Sequence, residues 1–279
     1  MLNNKSLIIA LVLLVIASLG CGTSFGVNLY TAEETIKQSF EVSASPRVVV
    51  ETFNGAIEIT TDSNDTVQAS MIKRGSGNTQ AAAQDDLKNI QVSMTQESGT
   101  IRIIARRVSQ KATMGNSGAS ANVKVPKGTT LELRSSNGSL TVIGPTGDVT
   151  ANTSNGRIEM EGSTGKLKLD TSNGHITIKA ENSIVAAHTS NGYIEFRGSL
   201  AAGDHSLRTS NGSITLTLPP DARFKFDAQT SNGKITSEFP MTRTGGSRDS
   251  ELRGTVGESP TTFIELRTSN GRIEIRQGQ

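Results

Sequence analysis

Several residue types are scarce in this chain of 279 residues, and each scarcity excludes something. There is one cysteine, Cys21, so no disulfide can form within the chain, and packing and backbone hydrogen bonds must hold the fold. Tryptophan is absent and aromatic residues make up only 4%, which argues against a broad aromatic core. The formal net charge is +2 and no long run of Lys or Arg occurs, so the composition does not favour nucleic acid as a partner.

The N-terminus has no apolar run long enough to cross a bilayer. Leu7 to Ala17 is an unbroken run of eleven apolar residues, whereas a spanning helix needs about 20. Lys5 precedes this run and small residues follow it. A positive start, a short apolar stretch and a small-residue end predict a secretory signal peptide over residues 1–20.

The end of that segment, Ser18-Leu19-Gly20-Cys21, resembles the lipobox of bacterial lipoproteins, although Ser18 stands where Leu is usual. The resemblance implies cleavage before Cys21 and attachment of lipid, including acyl chains such as palmitate, to its thiol. Two or three acyl chains give stable anchoring. Gly22 follows where Asp commonly signals inner-membrane retention, which favours the outer membrane if the host is Gram-negative. The alternatives are cleavage nearby with Cys21 left free, or retention as an uncleaved anchor.

The remaining chain is built on a repeat marked by Asn-Gly. This dipeptide occurs eight times, and the last seven copies read Ser-Asn-Gly; the asparagines are Asn54, Asn137, Asn155, Asn173, Asn191, Asn211, Asn232 and Asn270. From Asn137 onward the spacings are 18, 18, 18, 20, 21 and 38 residues. The final gap is about two units long, as if one repeat there had degenerated.

Apolar residues keep fixed positions around these asparagines. A branched aliphatic residue stands three positions after every Asn, and most units have further apolar residues five after, four before and six before it. The positions between are polar, which is the pattern of half-buried strands. Each unit is therefore predicted to be a strand, a Thr-Ser-Asn-Gly turn, a second strand and a second turn.

Two all-β architectures fit this unit. Asn-Gly between alternating runs commonly forms a tight hairpin, which would give an antiparallel meander. The near-constant period favours instead a β-solenoid with coils of about 18–21 residues, in which like positions stack about 4.8 Å apart. The asparagines Asn137, Asn155, Asn173, Asn191, Asn211, Asn232 and Asn270 would then form a hydrogen-bonded ladder. The glycine after each would supply a left-handed corner.

Outside the array, only Asn78 to Ile90 has helical composition. Val48 to Lys124 is therefore predicted to be a first coil with an insertion that carries one short helix. The predicted organisation is a lipoprotein signal peptide over 1–20, a tether over 21–39 and a β-repeat domain over 40–279.

These motifs resemble the DUF4097 family of adhesin-like β-strand-repeat proteins. The resemblance rests on the Thr-Ser-Asn-Gly-x-Ile-x-Ile repeats, on Val123 to Gly128 before Leu131-Glu132-Leu133, and on Gly254 to Gly257 before the last unit. It covers roughly residues 40–277. It implies a β-solenoid-like domain in the bacterial cell envelope, and it implies no particular chemistry.

Catalytic and metal-binding patterns are not found. His175, His188 and His205 stand at different phases of the repeat, so neither a metal site nor a cofactor is predicted. No Gly-x-Ser-x-Gly nucleophile motif occurs. Glutamates share one outward phase and alternate with threonines; a pair such as Glu159 and Glu195 would lie roughly 9–10 Å apart, near the separation of an inverting glycosidase. A repeat-driven charge pattern explains this row better than catalysis.

One outward row suggests binding. Arg157, His175 and Tyr193 share a phase on three successive coils, and a tyrosine among charged neighbours can hold a sugar or peptide. The alternative is an ordinary solvated face.

The favoured function is a non-catalytic envelope scaffold or interaction module. It would be anchored to the membrane through Cys21 and would face the periplasm or the cell exterior, with an envelope protein or glycan as partner. The alternatives are an adhesive, carbohydrate-binding module and an envelope-polysaccharide enzyme.

The lipid anchor is directly testable. Cells grown with a lipid alkyne should label the wild-type protein and should not label Cys21→Ala, because Cys21 is the only thiol that can be acylated. Labelling is read by gel fluorescence after click coupling, and fractionation shows whether the variant is released. Label retained on Cys21→Ala, or absent from the wild type, would contradict lipidation at this residue.

Overall fold

The computed structural model describes residues 30–42, 45–108, 117–144, 146–245 and 248–278. The predicted signal peptide and Cys21 lie outside these ranges. Within them, no helix is both long enough and apolar enough to span a membrane.

The described chain consists of short strands with one helix. In chain order the strands are β1 (Tyr30–Glu41), β2 (Arg47–Glu51), β3 (Ile57–Asp62), β4 (Thr66–Gly77), β5 (Ile90–Glu97), β6 (Thr100–Arg107), β7 (Gly118–Pro126), β8 (Thr130–Ser135), β9 (Leu140–Ile143), β10 (Val149–Thr153), β11 (Ile158–Ser163), β12 (Lys166–Thr171), β13 (Ile176–Asn191), β14 (Ile194–Leu200), β15 (Gly203–Asn211), β16 (Ile214–Leu218), β17 (Phe224–Asn232), β18 (Ile235–Ser237), β19 (Thr242–Gly245), β20 (Glu251–Val256), β21 (Thr262–Asn270) and β22 (Ile273–Gln277). The helix α1 (Gln80–Lys88) lies between β4 and β5.

The strands form two ladders, which we call sheet A and sheet B. Sheet A contains the strands that follow the Asn-Gly turns together with β1, β4 and β7, in the order β1, β4, β7, β3, β9, β11, β13, β14, β16, β22 and β18. Sheet B contains the strands that precede those turns together with β5, β6, β19 and β20, in the order β5, β6, β2, β8, β10, β12, β13, β15, β21, β17, β20 and β19. The long strand β13 passes from sheet A to sheet B around Asn182, whose φ is 48°.

Equivalent strands of neighbouring coils pair in parallel and in register. Ile158, for example, pairs with Leu140 on one side and with Ile176 on the other. A meander of hairpins would pair them antiparallel, so the β-solenoid prediction is confirmed and the hairpin alternative is wrong. The predicted apolar positions face inward between the two sheets, where they form one continuous core.

The coils are not stacked in the order of the sequence. The last coil, β21 and β22, lies between the coil β15–β16 and the coil β17–β18. At the other end, the coil β2–β3 lies between β6–β7 and β8–β9. The interpretation of the 38-residue gap as a degenerate repeat is therefore wrong: its residues include β19 and β20, which pair antiparallel at the edge of sheet B and return the chain to the gap between two earlier coils.

The N-terminal end is covered by the insertion. The helix α1 sits over Gly75 and Gly77 of β4, where an added Cβ would lie 2.3 Å from the carbonyl oxygen of Ala83 and 2.6 Å from the Cβ of Ala82, respectively. Asp86 of α1 is buried and accepts hydrogen bonds from the Ser76 amide, the Ser117 hydroxyl and the Arg107 guanidinium. This carboxylate ties the helix to the sheet.

The tether predicted for residues 21–39 is too long. Residues 30–39 belong to β1, which pairs antiparallel with β4 over its full length. They are held in the sheet because Ala32 and Phe40 of this strand are buried. Residues 21–29 lie outside the described ranges.

The asparagines of the turns form one hydrogen-bonded ladder along the outside of the solenoid. Seven of the eight Nδ2 groups donate to the Oδ1 atom of the next asparagine, at 2.6–2.9 Å, and that of the terminal Asn54 donates to the Ser117 carbonyl oxygen. The spatial order is Asn54, Asn137, Asn155, Asn173, Asn191, Asn211, Asn270 and Asn232. The ladder thus passes through both rearranged ends, which places Asn270 between Asn211 and Asn232.

The glycine of each turn is required because the backbone of the neighbouring coil lies too close to leave room for a Cβ. None of the eight turn glycines has a positive φ, so the expected left-handed corner is wrong. A Cβ at Gly174 would instead lie 2.0 Å from the carbonyl oxygen of Gly156 in the neighbouring coil, and Gly156, Gly192 and Gly271 are in the same situation. That oxygen also accepts the hydroxyl of buried Thr171, at 2.9 Å. The same inward bond to a neighbouring coil is made by Ser135, Thr153, Thr189, Thr209, Thr230 and Thr268.

We expect Gly174→Ala to lower the free energy of unfolding by roughly 1–3 kcal/mol, the range for forcing an extra methyl group into a packed site. Gly245→Ala is the matched control, because its added Cβ would meet only the Arg253 side chain at 3.6 Å. Urea unfolding followed by circular dichroism measures both. Equal stability of the two variants would contradict the close-approach explanation.

Candidate functional site

The outer face of sheet A carries the row that the sequence singled out. Two positions after each turn asparagine, the residues in spatial order are Ala56, Ser139, Arg157, His175, Tyr193, Ser213, Arg272 and Lys234. Arg157, His175 and Tyr193 therefore do lie side by side on three adjacent coils. Arg272 lies two coils beyond Tyr193, although 79 residues separate them in sequence.

His175 and Tyr193 form a stacked pair. Their ring centroids lie 4.0 Å apart and the ring planes differ by 12°. The Tyr193 amide donates to Nδ1 of His175 at 3.4 Å, so the ring proton of a neutral His175 belongs on Nε2. Tyr193 remains 39% exposed. Arg157 is turned along its own strand, where its Nε atom pairs with Glu159 at 3.0 Å.

A second row on this face alternates glutamate and threonine without interruption. Four positions after each asparagine, the residues in spatial order are Glu58, Thr141, Glu159, Thr177, Glu195, Thr215, Glu274 and Thr236. Each glutamate thus has threonine neighbours within the row, and the next carboxylate is two strands away, about 9–10 Å. The arrangement separates like charges, and Thr177 stands between Glu159 and Glu195.

The strand β16 presents only small hydroxyl side chains on this face. Ser213, directly before it, and Thr215 and Thr217 within it point outward. On one side lie Glu195 and Arg197 of β14, with Tyr193 directly before this strand. On the other side lie Glu274 and Arg276 of β22, with Arg272 directly before it. We call the space above β16 the slot. Sequence order would have put Lys234, Thr236 and Glu238 beside β16, so the second wall could not be found from the repeat alone.

A shallow depression of about 350 Å³ lies on the outer face of sheet B. It forms where the small residues Ala186 and Ser206 stand among larger ones, and Lys168, Asp170, His188 and Arg208 surround it. Arg208 is ion-paired with Glu265. None of the predicted binding residues lies here.

The three histidines occupy separate environments. His175 lies on the face of sheet A, His188 lies on that of sheet B, and His205 points inward and is buried. Among the described residues, no three His, Cys, Asp or Glu side chains are grouped so that they could hold a metal ion.

The His205 side chain accepts a hydrogen bond from a backbone amide of the neighbouring strand, where a backbone carbonyl would otherwise be the acceptor. Its coil is two residues longer than the regular unit, and the Val185 amide donates to the ring Nδ1 at 3.2 Å. The ring Nε2 lies 3.0 Å from the carbonyl oxygen of Ala201. These two partners fix the neutral tautomer with its proton on Nε2. Burial lowers the pKa of His205, against smaller raising effects of the Ala201 hydrogen bond and of Asp204.

Comparison with known proteins gives one family match and distant structural neighbours. A family model described as Toastrack DUF4097 matches residues 116–276. No curated protein matches the chain. A candidate adhesin from Bacteroides fragilis is 12% identical, with 88% of this chain and 97% of that chain covered and a TM-score of 0.44. A candidate cell adhesion protein from Clostridium sporogenes is 10% identical, with 88% and 100% covered and a TM-score of 0.32. We draw no functional conclusion from neighbours this distant.

The lowered pKa of His205 predicts a loss of stability in acid. Below about pH 6.5, the ordinary value, the unfolded chain binds a proton that the folded chain excludes. The contribution of neutral His205 to the free energy of unfolding should therefore be fully present above about pH 6.5. It should decrease as the pH drops toward the pKa of His205 in the folded protein. Denaturant titrations between pH 7.5 and 5 should show this slope for the wild type and for His188→Gln, whose side chain is exposed. His205→Leu should lose it; an unchanged slope in that variant would contradict the assignment.

Proposed function

Because this chain belongs to the DUF4097 family, we propose that it is a non-catalytic interaction module of the bacterial cell envelope. Lipid on Cys21 tethers it to the membrane, and sheet A presents a binding face to an envelope protein or glycan. The family match covers more than half of the chain and concerns the repeat domain.

The observation that carries the proposal is the exposed ring pair of His175 and Tyr193. Parallel backbone pairing and the asparagine ladder fix the strands beneath it, so the rings are held in place before any partner arrives. Such preorganisation reduces the entropy lost on binding, and tyrosine is enriched in protein interfaces. Charged neighbours pair with each other, as in Arg157 with Glu159 and Lys179 with Glu161. The exposed ring pair, in contrast, is open to a partner.

The same ring pair supports an adhesive, carbohydrate-binding role as the second candidate. The face of Tyr193 that is turned away from His175 offers an aromatic surface for a sugar ring, and hydroxyls of Ser213 and Thr215 stand next to it. A glycan array distinguishes this role from a purely protein-binding one.

The proposal assigns no catalytic residue. Glu159 and Glu195 are the pair that an envelope-polysaccharide enzyme would use. Glu159 is engaged by Arg157, and a strand carrying Thr177 separates the two glutamates. If the chain nevertheless degraded a polysaccharide, replacement of both glutamates by alanine should abolish turnover.

Crosslinking in intact cells tests the binding face. We expect p-benzoylphenylalanine at position 193 to give a discrete crosslinked species, whereas the same probe at Thr150, exposed on sheet B, gives none. Arg157→Ala or His175→Ala, combined with the probe at 193, should weaken the product, since each changes the surface around the probe. Identical crosslinking from positions 193 and 150, or none from 193, would contradict sheet A as the binding face.

A further inference from the structure

The slot above β16 has two tall walls and a low floor. Tyr193, Glu195 and Arg197 form one wall, and Arg272, Glu274 and Arg276 form the other. The walls stand on strands two apart, which corresponds to about 9–10 Å. Contacts between non-bonded atoms take about 3.5–4 Å on each side, so the slot has the width of a single ring or a single extended chain.

The orientation of Tyr193 makes the slot suited to a ring. Its ring lies nearly parallel to that of His175, with 4.0 Å between the centroids, which is close to the strand spacing of about 4.8 Å. The ring normal therefore points along the stack of coils. One face of Tyr193 covers His175, and the opposite face is turned toward the space above Ser213.

The two walls differ in whether their arginines form ion pairs. Glu274 is bound by both arginines of its own wall, Arg272 at 3.2 Å and Arg276 at 2.5 Å. In contrast, Arg197 is exposed, and among the described residues it forms no ion pair with a carboxylate. A planar guanidinium without a partner is the group best suited to hold an incoming carboxylate in a bidentate manner.

We propose that the slot binds an acidic oligosaccharide, with its chain lying along β16. One pyranose ring stacks on the open face of Tyr193, hydroxyls of Ser213, Thr215 and Thr217 hydrogen-bond to the sugar, and Arg197 binds a carboxylate further along the chain. Tyr193 and Arg197 are four residues apart on one strand, about 13 Å, so the ligand is an oligomer and not a monosaccharide. This inference rests on the proposed binding role of sheet A.

Trigalacturonate and a hyaluronan tetrasaccharide serve as probes, with their neutral methyl esters as matched controls. Binding to the folded chain is measured by calorimetry and by tyrosine fluorescence. The sequence has no tryptophan and two tyrosines, so Tyr30→Phe leaves Tyr193 as the single emitter. We expect at least one acid to quench Tyr193 and to bind at least tenfold more tightly than its ester.

Three variants locate the site. Ser213→Tyr fills the slot with a third stacked ring while Tyr193 and Arg197 remain, and it should raise the Kd at least tenfold without lowering the Tm. Arg197→Gln should remove the preference for the acid over the ester. Lys179→Gln, on the other side of β14 and already paired with Glu161, should change neither.

Three results would overturn the inference: no binding of either acid at millimolar concentration, equal binding of acid and ester, or binding that Ser213→Tyr does not weaken. If crosslinking from position 193 persists in any of these cases, the slot proposal fails while the proposed function stands. Loss of that crosslink as well removes both.

Discussion

The structure depends on how closely one turn lies on the next. The carbonyl oxygen of a turn glycine leaves no room for a Cβ on the turn glycine of the next coil. At Gly174 that Cβ would lie only 2.0 Å from the carbonyl oxygen of Gly156. The same oxygen accepts a buried threonine hydroxyl, and the neighbouring asparagine amides bond on the outside of the turn. Threonine, asparagine and glycine thus act together within four residues. A side chain at the glycine position would separate the coils and weaken the parallel pairing in both sheets at once.

A solenoid with this spacing leaves unpaired strands at its two ends, and such edges promote unwanted pairing. Non-repeating elements add to the sheets at both ends. Antiparallel β1 and β4, with α1 fixed through Asp86, cover the first end. At the second end β19 and β20 extend sheet B, and Phe239 packs edge-on against Phe224 at 5.2 Å. Each end also contains a coil inserted between two coils that are distant from it in sequence. These contacts are non-local, so we infer that the ends form late relative to the regular middle coils.

The period and the apolar positions were sufficient to predict the parallel coils and the side-by-side placement of Arg157, His175 and Tyr193, and the local composition was sufficient to predict the short helix. They were not sufficient for the order of the coils, because every coil presents nearly the same backbone and apolar surface to its neighbours. The non-repeating segments decide that order: β19 and β20 reverse the chain at one end, and the segment between β3 and β8 places the coil β2–β3 out of sequence order at the other. The inward threonines were also missed, since a threonine between apolar positions resembles an ordinary polar residue. His205 stands at a position that is apolar in most other units, and the sequence does not show that its ring supplies the hydrogen-bond acceptor that an elongated coil lacks.

The alternation of glutamate and threonine shows how sequence and spatial order are related. In sequence order two threonines, Thr215 and Thr236, follow each other and interrupt the alternation. In space Glu274 lies between them, so the alternation is continuous across eight coils. Neighbouring carboxylates about 4.8 Å apart would repel each other, so this row constrains which coils can be adjacent. The glutamates and threonines of this row are therefore explained by the stacking of the coils. Other rows of the same face are not bound by this constraint, and there a bulky ring or an unpaired guanidinium stands next to a small polar residue. Tyr193 beside Ser213 and Arg197 beside Thr217 are positions of that kind, and both residues are exposed.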